Sequence, residues 1–298
     1  MNFATDLVPM LSGAVAAMTP LLFAALGGLF TELTGMLNIA LEGLITLGAF
    51  FGILGASATG NLALGVAIGV AASTLTALLY GEITLRFKAN VFITGLATNL
   101  LASGITVVLS QQLFNTKGVV PFELPDLPVV TTGLSRIPLL GPLFFGQNIL
   151  AMSSWLAAIV AWVVIRRTPF GMRLRATGSN PKAVVALGLK PDRYRLAAIL
   201  ISGASCGLAG SYLSLNLSAY VPNISSGRGW IALVAIYLGG RRPAGILAAC
   251  LLFAGAEAFS NYAQGFLDVP PDFILAIPYL VTLAALVAGA AVRRAKVH

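Results

Sequence analysis

Residues 166–195 read RRTPFGMRLRATGSNPKAVVALGLKPDRYR, eight Lys or Arg residues against the single acid Asp192, with an apolar stretch on either side. Basic loops beside membrane helices resist export and mark the cytoplasmic side. The segment therefore orients the chain, and the fold follows by working outward from it. Apolar runs of about 20 residues, enough to cross a ~30 Å hydrocarbon core as helix, recur on both sides. None alternates as barrel strands do. With 58% hydrophobic and 9% charged residues, against ~25% charged in soluble domains, the chain reads as an all-α, polytopic transmembrane bundle.

Nine spans are expected, at residues 9–30, 37–56, 61–80, 91–113, 149–165, 196–217, 230–240, 243–262 and 273–292. This count puts Arg86 and Lys88, the 166–195 loop, Arg241 with Arg242, and the tail Arg293, Arg294 and Lys296 on one side. The N-terminus is then outside and the C-terminus cytoplasmic. The segment 230–240 is short: eleven helical residues rise only about 16 Å. It either begins earlier or forms half of a re-entrant hairpin with the next helix, and Arg241 and Arg242 favour a tip that reaches cytoplasmic water. The start MNFATDLVPMLSG lacks the basic region of a secretory signal, so the first helix is expected to be retained. The chain reads as one membrane domain over 1–298, with an external, proline-rich loop at 114–147 and a cytoplasmic loop at 166–195.

The net charge of +8 sits mostly beside spans, where orientation explains it, so nucleic acid is not an expected partner. Cys206 and Cys250 lie in apolar segments and read as small buried hydrophobes. Gly65 with Gly69, and Gly203 with Gly207 and Gly210, sit at spacings that let helices approach, more simply within one bundle than across a dimer seam. No nucleotide-cradling loop or histidine metal motif occurs, and the one histidine is His298. The chain is expected to be no enzyme, with no cofactor or metal of its own.

Within the basic loop, Asn180 precedes Pro181 and the run KAVVALG, which ends at Gly188. Asn at the N-cap, Pro in the first turn and Gly at the exit predict a two-turn helix, with Ala183, Val184 and Leu187 on one side. It either packs on its own bundle or inserts into a groove of a cytoplasmic partner. Polar groups inside the spans are candidates for a path: Asn38 with Glu42, taken to share a helical face, Asn99, and Glu257 with Asn261. Phe259 and Tyr262 would add aromatic wall. A structural role competes for Glu42 and Glu257, and an interhelical hydrogen bond for Asn99.

Five blocks carry a resemblance: ELTGMLNIALEGLITLGAFFG at 32–52, IPLLGPLFFGQN at 137–148, GMRLRATGSNPKAVVALGLKPDRYR at 171–195, ISGASCGLAGSYLSL at 201–215 and GWIALVAIYLGGRRPAG at 229–245. The chain resembles the permease subunits of bacterial ABC importers of the ribose, branched-chain amino acid and nucleoside group, most of all the shorter permease of nucleoside, or simple sugar, importers. The resemblance implies a second permease, longer or identical, two cytoplasmic ATPases carrying ATP and Mg, an external substrate-binding protein, and a place in the bacterial inner membrane. It also implies that 171–188 meets an ATPase, with Gly171, Arg173, Arg175, Asn180, Pro181, Lys182, Ala183, Val184, Leu187 and Gly188 at the contact. Sugars or branched-chain amino acids are alternative cargo. An ion-coupled secondary transporter is the rival class, poorly matched by the lone Glu42 and Glu257.

Overall fold

The computed structural model describes residues 3–129 and 146–264, with the isolated positions 280, 284 and 287. The order is α1 (Phe3–Leu33), α2 (Leu41–Thr59), α3 (Leu62–Leu85), α4 (Val91–Phe114), β1 (Val120–Pro121), α5 (Ile149–Arg167), α6 (Pro169–Ser179), α7 (Pro181–Ala186), α8 (Pro191–Leu217), β2 (Ala219–Tyr220), α9 (Arg228–Leu238) and α10 (Pro243–Ala263). Seven of these helices, α1 to α5, α8 and α10, are long and apolar enough to cross a membrane. The expected ninth span, 273–292, and most of the block IPLLGPLFFGQN lie outside the described residues.

The bundle is built around α2, α3 and α8, each packed on the other two, with α1 also packed on α8. Small residues make this possible. A Cβ on Gly48 would sit 2.7 Å from Gly207 Cα, and one on Gly207 2.6 Å from Val70 Cα, so the backbones of α2, α3 and α8 run almost in contact. Hydroxyls then bridge them: Ser73 Oγ donates to the carbonyls of Leu44 (3.0 Å) and Gly203 (2.8 Å), and Ser214 Oγ to that of Ala49 (2.8 Å). This is how helices associate where no hydrophobic force separates side chains from lipid, and it places the glycine spacings within one bundle, as expected. Cys206 and Cys250 are both buried and free. The outer helices turn Leu75, Leu79, Leu100, Leu101, Leu156 and Ile159 outward, an apolar surface suited to lipid tails.

Helix starts follow capping chemistry. Asn61, Asn90 and Asn148 each accept backbone N–H bonds at the starts of α3, α4 and α5, satisfying donors that have no partner inside the helix. Two expected boundaries are corrected. The helix expected from 196 begins at Pro191, where proline fits the first turn. The span expected from 37 begins only at Leu41, because Gly35 takes a φ of 78° and residues 36–40 are not helical. That non-helical entry reaches deep. Asn38 donates to Ser202 Oγ at 2.9 Å, and Ser202 lies about 17 Å along α8 from Pro191.

Most of the described basic residues gather at one end. Gly178 of α6 lies against Leu33 and Gly35 at the end of α1, Gly81 near the end of α3 lies against Leu196 and Ile199, and Arg241 pairs with Glu32 at 2.9 Å. At the opposite end β1 pairs antiparallel with β2, Val120 opposite Tyr220 and Pro121 opposite Ala219. This clip between the loop after α4 and the exit of α8 was not foreseen, since two residues leave no periodicity to read.

Candidate functional site

The unusual element is α9. It has eleven residues, about 16 Å of helix, and hairpins back onto α10 through a turn at Gly239–Arg242 in which Gly239 and Gly245 pack backbone to backbone. Its far end, Arg241, is at the basic surface. Its N-terminus is therefore inside the bundle, and residues 221–227 reach it from the opposite end as successive turns without regular helix. Three of them, Asn223 (φ 56°), Ser226 (φ 45°) and Gly227 (φ 81°), adopt left-handed backbone.

Glu42 holds this internal helix start. Its Oε1 accepts from Ser225 Oγ (2.6 Å) and Gly227 N (2.7 Å), and its Oε2 from Gly229 N (2.7 Å). The carboxylate thus takes up free N–H groups at the positive end of α9. Gly229 is required for the approach, because a Cβ there would stand 2.7 Å from Glu42 Cα. Ser225 Oγ also lies 3.1 Å from Thr46 Oγ1.

The start of α2 has a matching arrangement. Asn99, about 12 Å along α4, accepts from Gly43 N at 2.8 Å and donates to Ile39 O at 2.9 Å. It is an interhelical brace on the first turn of α2. Asn38 does not share a helical face with Glu42, contrary to expectation: it precedes the helix, fully buried, and its Oδ1 accepts from Ala40 N at 3.0 Å. The reason is the non-helical 36–40 segment, across which a four-residue spacing has no helical meaning.

Glu257 accepts from Arg228 Nη2 at 2.6 Å, with both side chains at least two-thirds buried. Arg228 was not among the expected site residues. The sequence SAYVPNISSGR looks like an external loop, and the only signal was that a helix starting near 230 is too short to cross. Asn261 lies one turn beyond Glu257 and is exposed, as is Phe259, two residues from Glu257 and so on another side of α10. The structure thus draws Glu42, Arg228 and Glu257 to one region around the start of α9, and leaves Asn38 and Asn99 as braces behind it.

At the basic end, 171–188 forms two helices, of which only the second was expected. Thr168 caps α6, and Asn180 Oδ1 accepts from Ala183 N at 3.1 Å to cap α7. Gly188 leaves with a φ of 73°. The sidedness of α7 differs from expectation. Val184 is buried at 2% exposure, whereas Leu187 (77%) and Val185 (60%) point outward with Ala183. The cause is that α7 lies against α6 and α8, and Val184 is the residue of α7 turned toward the protein. Gly171, Leu174 and Thr177 likewise face inward: a Cβ on Gly171 would sit 2.6 Å from Ile165 Cα, so Gly171 serves packing. Met172, Arg173, Arg175, Lys182, Ala183, Val185 and Leu187 form the outer surface. Arg173 Nη1 bonds Tyr194 Oη at 3.3 Å, and Arg175 Nε the Gly171 carbonyl at 3.3 Å.

The family described as branched-chain amino acid transport system / permease component matches residues 10–286. The guanosine ABC transporter permease protein NupQ of Bacillus subtilis is 33% identical, over 94% of this chain and 93% of that one. The nucleoside ABC transporter permease protein NupC of Lactococcus lactis is 31% identical, over 96% and 93%. The ribose import permease protein RbsC of Bacillus subtilis is 25% identical, over 74% and 65%. In fold, an inward-facing structure of a metal-chelate type ABC transporter superimposes with a TM-score of 0.50 at 16% identity, covering 97% of this chain and 85% of that one.

Proposed function

Because the chain belongs to the branched-chain amino acid transport system / permease component family, we propose that this multi-pass ABC permease subunit passes nucleosides inward across a bacterial inner membrane. Its N-terminus lies outside and its C-terminus in the cytoplasm. It pairs with a second permease, receives cargo from an external binding protein, and is driven by cytoplasmic ATPases that hold ATP and Mg. The observation that carries the cargo is the near-full-length similarity to two nucleoside permeases.

The mechanism rests on differential binding. ATP-closed and open ATPases favour different arrangements of the permease pair. The outer surface of α6 and α7, apolar at Val185 and Leu187 and basic at Arg173, Arg175 and Lys182, is the docking face. Its motion reaches the bundle directly, because Gly178 lies against the end of α1. Glu32 there holds both Arg241 (2.9 Å) and Tyr237 Oη (3.1 Å) of the α9 hairpin. A rigid eleven-residue rod thus links the basic surface to the middle of the bundle.

The test is reconstitution of the purified complex in proteoliposomes with its binding protein and measurement of nucleoside-stimulated ATP hydrolysis and uptake. Stimulation by sugars or amino acids alone would transfer the cargo to those classes. Uptake that persists without any ATPase would instead make the protein a secondary transporter.

A further inference from the structure

The stretch 222–227 poses a solvation problem. It leaves Tyr220, whose ring packs against Phe50 of α2 at 4.9 Å, and ends at Ser225 and Gly227, which bond Glu42 of α2. Phe50 and Glu42 are about 12 Å apart along α2, so the stretch runs alongside the first half of α2, whose entry lies inside the bundle at the level of Ser202. Yet Asn223 and Ser226 are exposed at its surface, with irregular backbone. Exposed polar side chains and non-helical backbone at this depth are not sustained against lipid; they require water or protein. Elsewhere on the outer helices the exposed residues at depth are apolar on α3 and α5, and on α4 the exposed polar side chain near the middle, Ser103, sits on regular helix, so a face that joins exposed polar groups to irregular backbone differs in kind.

Its chemistry is also particular. Asn223 offers both donors and an acceptor. Ser226 Oγ donates to Asn223 O at 3.1 Å, which leaves its lone pairs free to accept. Behind them stand two carboxylates, Glu42 and Glu257, and one guanidinium, Arg228. Glu42 is occupied by three donors and Glu257 by Arg228. The formal balance is one negative charge, partly offset by the positive end of α9. Such a station repels anions and offers hydrogen bonds to neutral groups.

We infer that Asn223 and Ser226, backed by the Arg228–Glu257 pair, are the cargo-contacting station of the path and select an uncharged, hydroxyl-bearing solute. This rests on the importer reading and names the residues through which that path recognises its cargo.

The experiment uses the full complex in proteoliposomes with nucleotide-free ATPases, so that no conformational cycling occurs. Asn223→Cys is treated with a membrane-impermeant thiol reagent; the wild-type chain, whose two cysteines are buried, supplies the background. The reagent should modify the introduced thiol. Saturating uridine should slow that reaction by about tenfold, while uridine monophosphate at the same concentration should not. Ser226→Cys provides the same measurement should Asn223→Cys fail to assemble. Absence of modification at both positions overturns the inference, since lipid or the second permease then seals the stretch. Modification that uridine leaves unchanged, or equal protection by the phosphate, overturns it as well. Nucleoside-stimulated ATP hydrolysis by the wild-type complex is measured in parallel. Its presence with unprotected thiols sinks only this inference, and its absence sinks the nucleoside importer reading itself.

Discussion

Replacing Glu42 by Gln tests the clamp at the start of α9. The carboxylate accepts three hydrogen bonds of 2.6–2.7 Å, two of them from the backbone of Gly227 and Gly229. An amide keeps one acceptor oxygen and turns a donor toward at least one of those N–H groups. One charge-assisted bond is lost, worth about 1.5–3 kcal/mol, and a buried donor is left unsatisfied at about 1–3 kcal/mol. These overlap, so the net destabilisation expected is about 2–4 kcal/mol. The assay is thermal unfolding of the purified complex in detergent beside uptake in proteoliposomes. The variant should unfold at a temperature lower by several degrees and lose most transport. A wild-type unfolding temperature with lost uptake would refute the clamp and make Glu42 a path residue in its own right. Wild-type values of both would remove Glu42 from the mechanism.

Val185→Glu and Leu187→Asp, on the outer surface of α7, should abolish co-purification of the ATPase while leaving the permease folded by size-exclusion chromatography. Val184→Asp, at the buried position of α7, should instead reduce the yield of folded protein. Arg228→Ala and Glu257→Ala should each destabilise more than half as much as the double variant. The coupling between the two residues in a double-mutant cycle should be about 1 kcal/mol or more, read by thermal unfolding. Gly207→Leu should prevent folding, seen as loss of membrane-inserted protein, because its side chain has no room beside Val70.

The spans and the α7 cap were legible because their signals are local: about 20 apolar residues in a row, or Asn-Pro before a short apolar run and Gly after it. The alternation of basic loops grouped the 166–195 loop with Arg241 at one end, and the structure places Gly178 beside the end of α1 and Arg241 on Glu32 there. What escaped depends on contacts between distant segments. Asn38 and Glu42 have the spacing of one helical face, and only the φ of Gly35 reveals that α2 has not yet begun. Val184 and Leu187 have the spacing of one face too, but α7 adjoins α6, whose polar sequence RLRATG gave no sign of a helix, and only Val184 is buried. Arg228 carried a charge that looked like an ordinary loop residue. Its depth was decided by Glu42, more than 180 residues earlier in the chain.

The two-residue strand pair at the outer end has a consequence for how tightly a solute is gripped. Tyr220 is stapled there by Val120, and Gly227 is stapled at the inner end by Glu42, so the few residues between are anchored at both ends. A segment already so restrained has little motional freedom left to forfeit when a molecule arrives. It can therefore pick out its guest through a few weak, fleeting contacts and let it go again at once, which is what a conduit needs and a receptor does not.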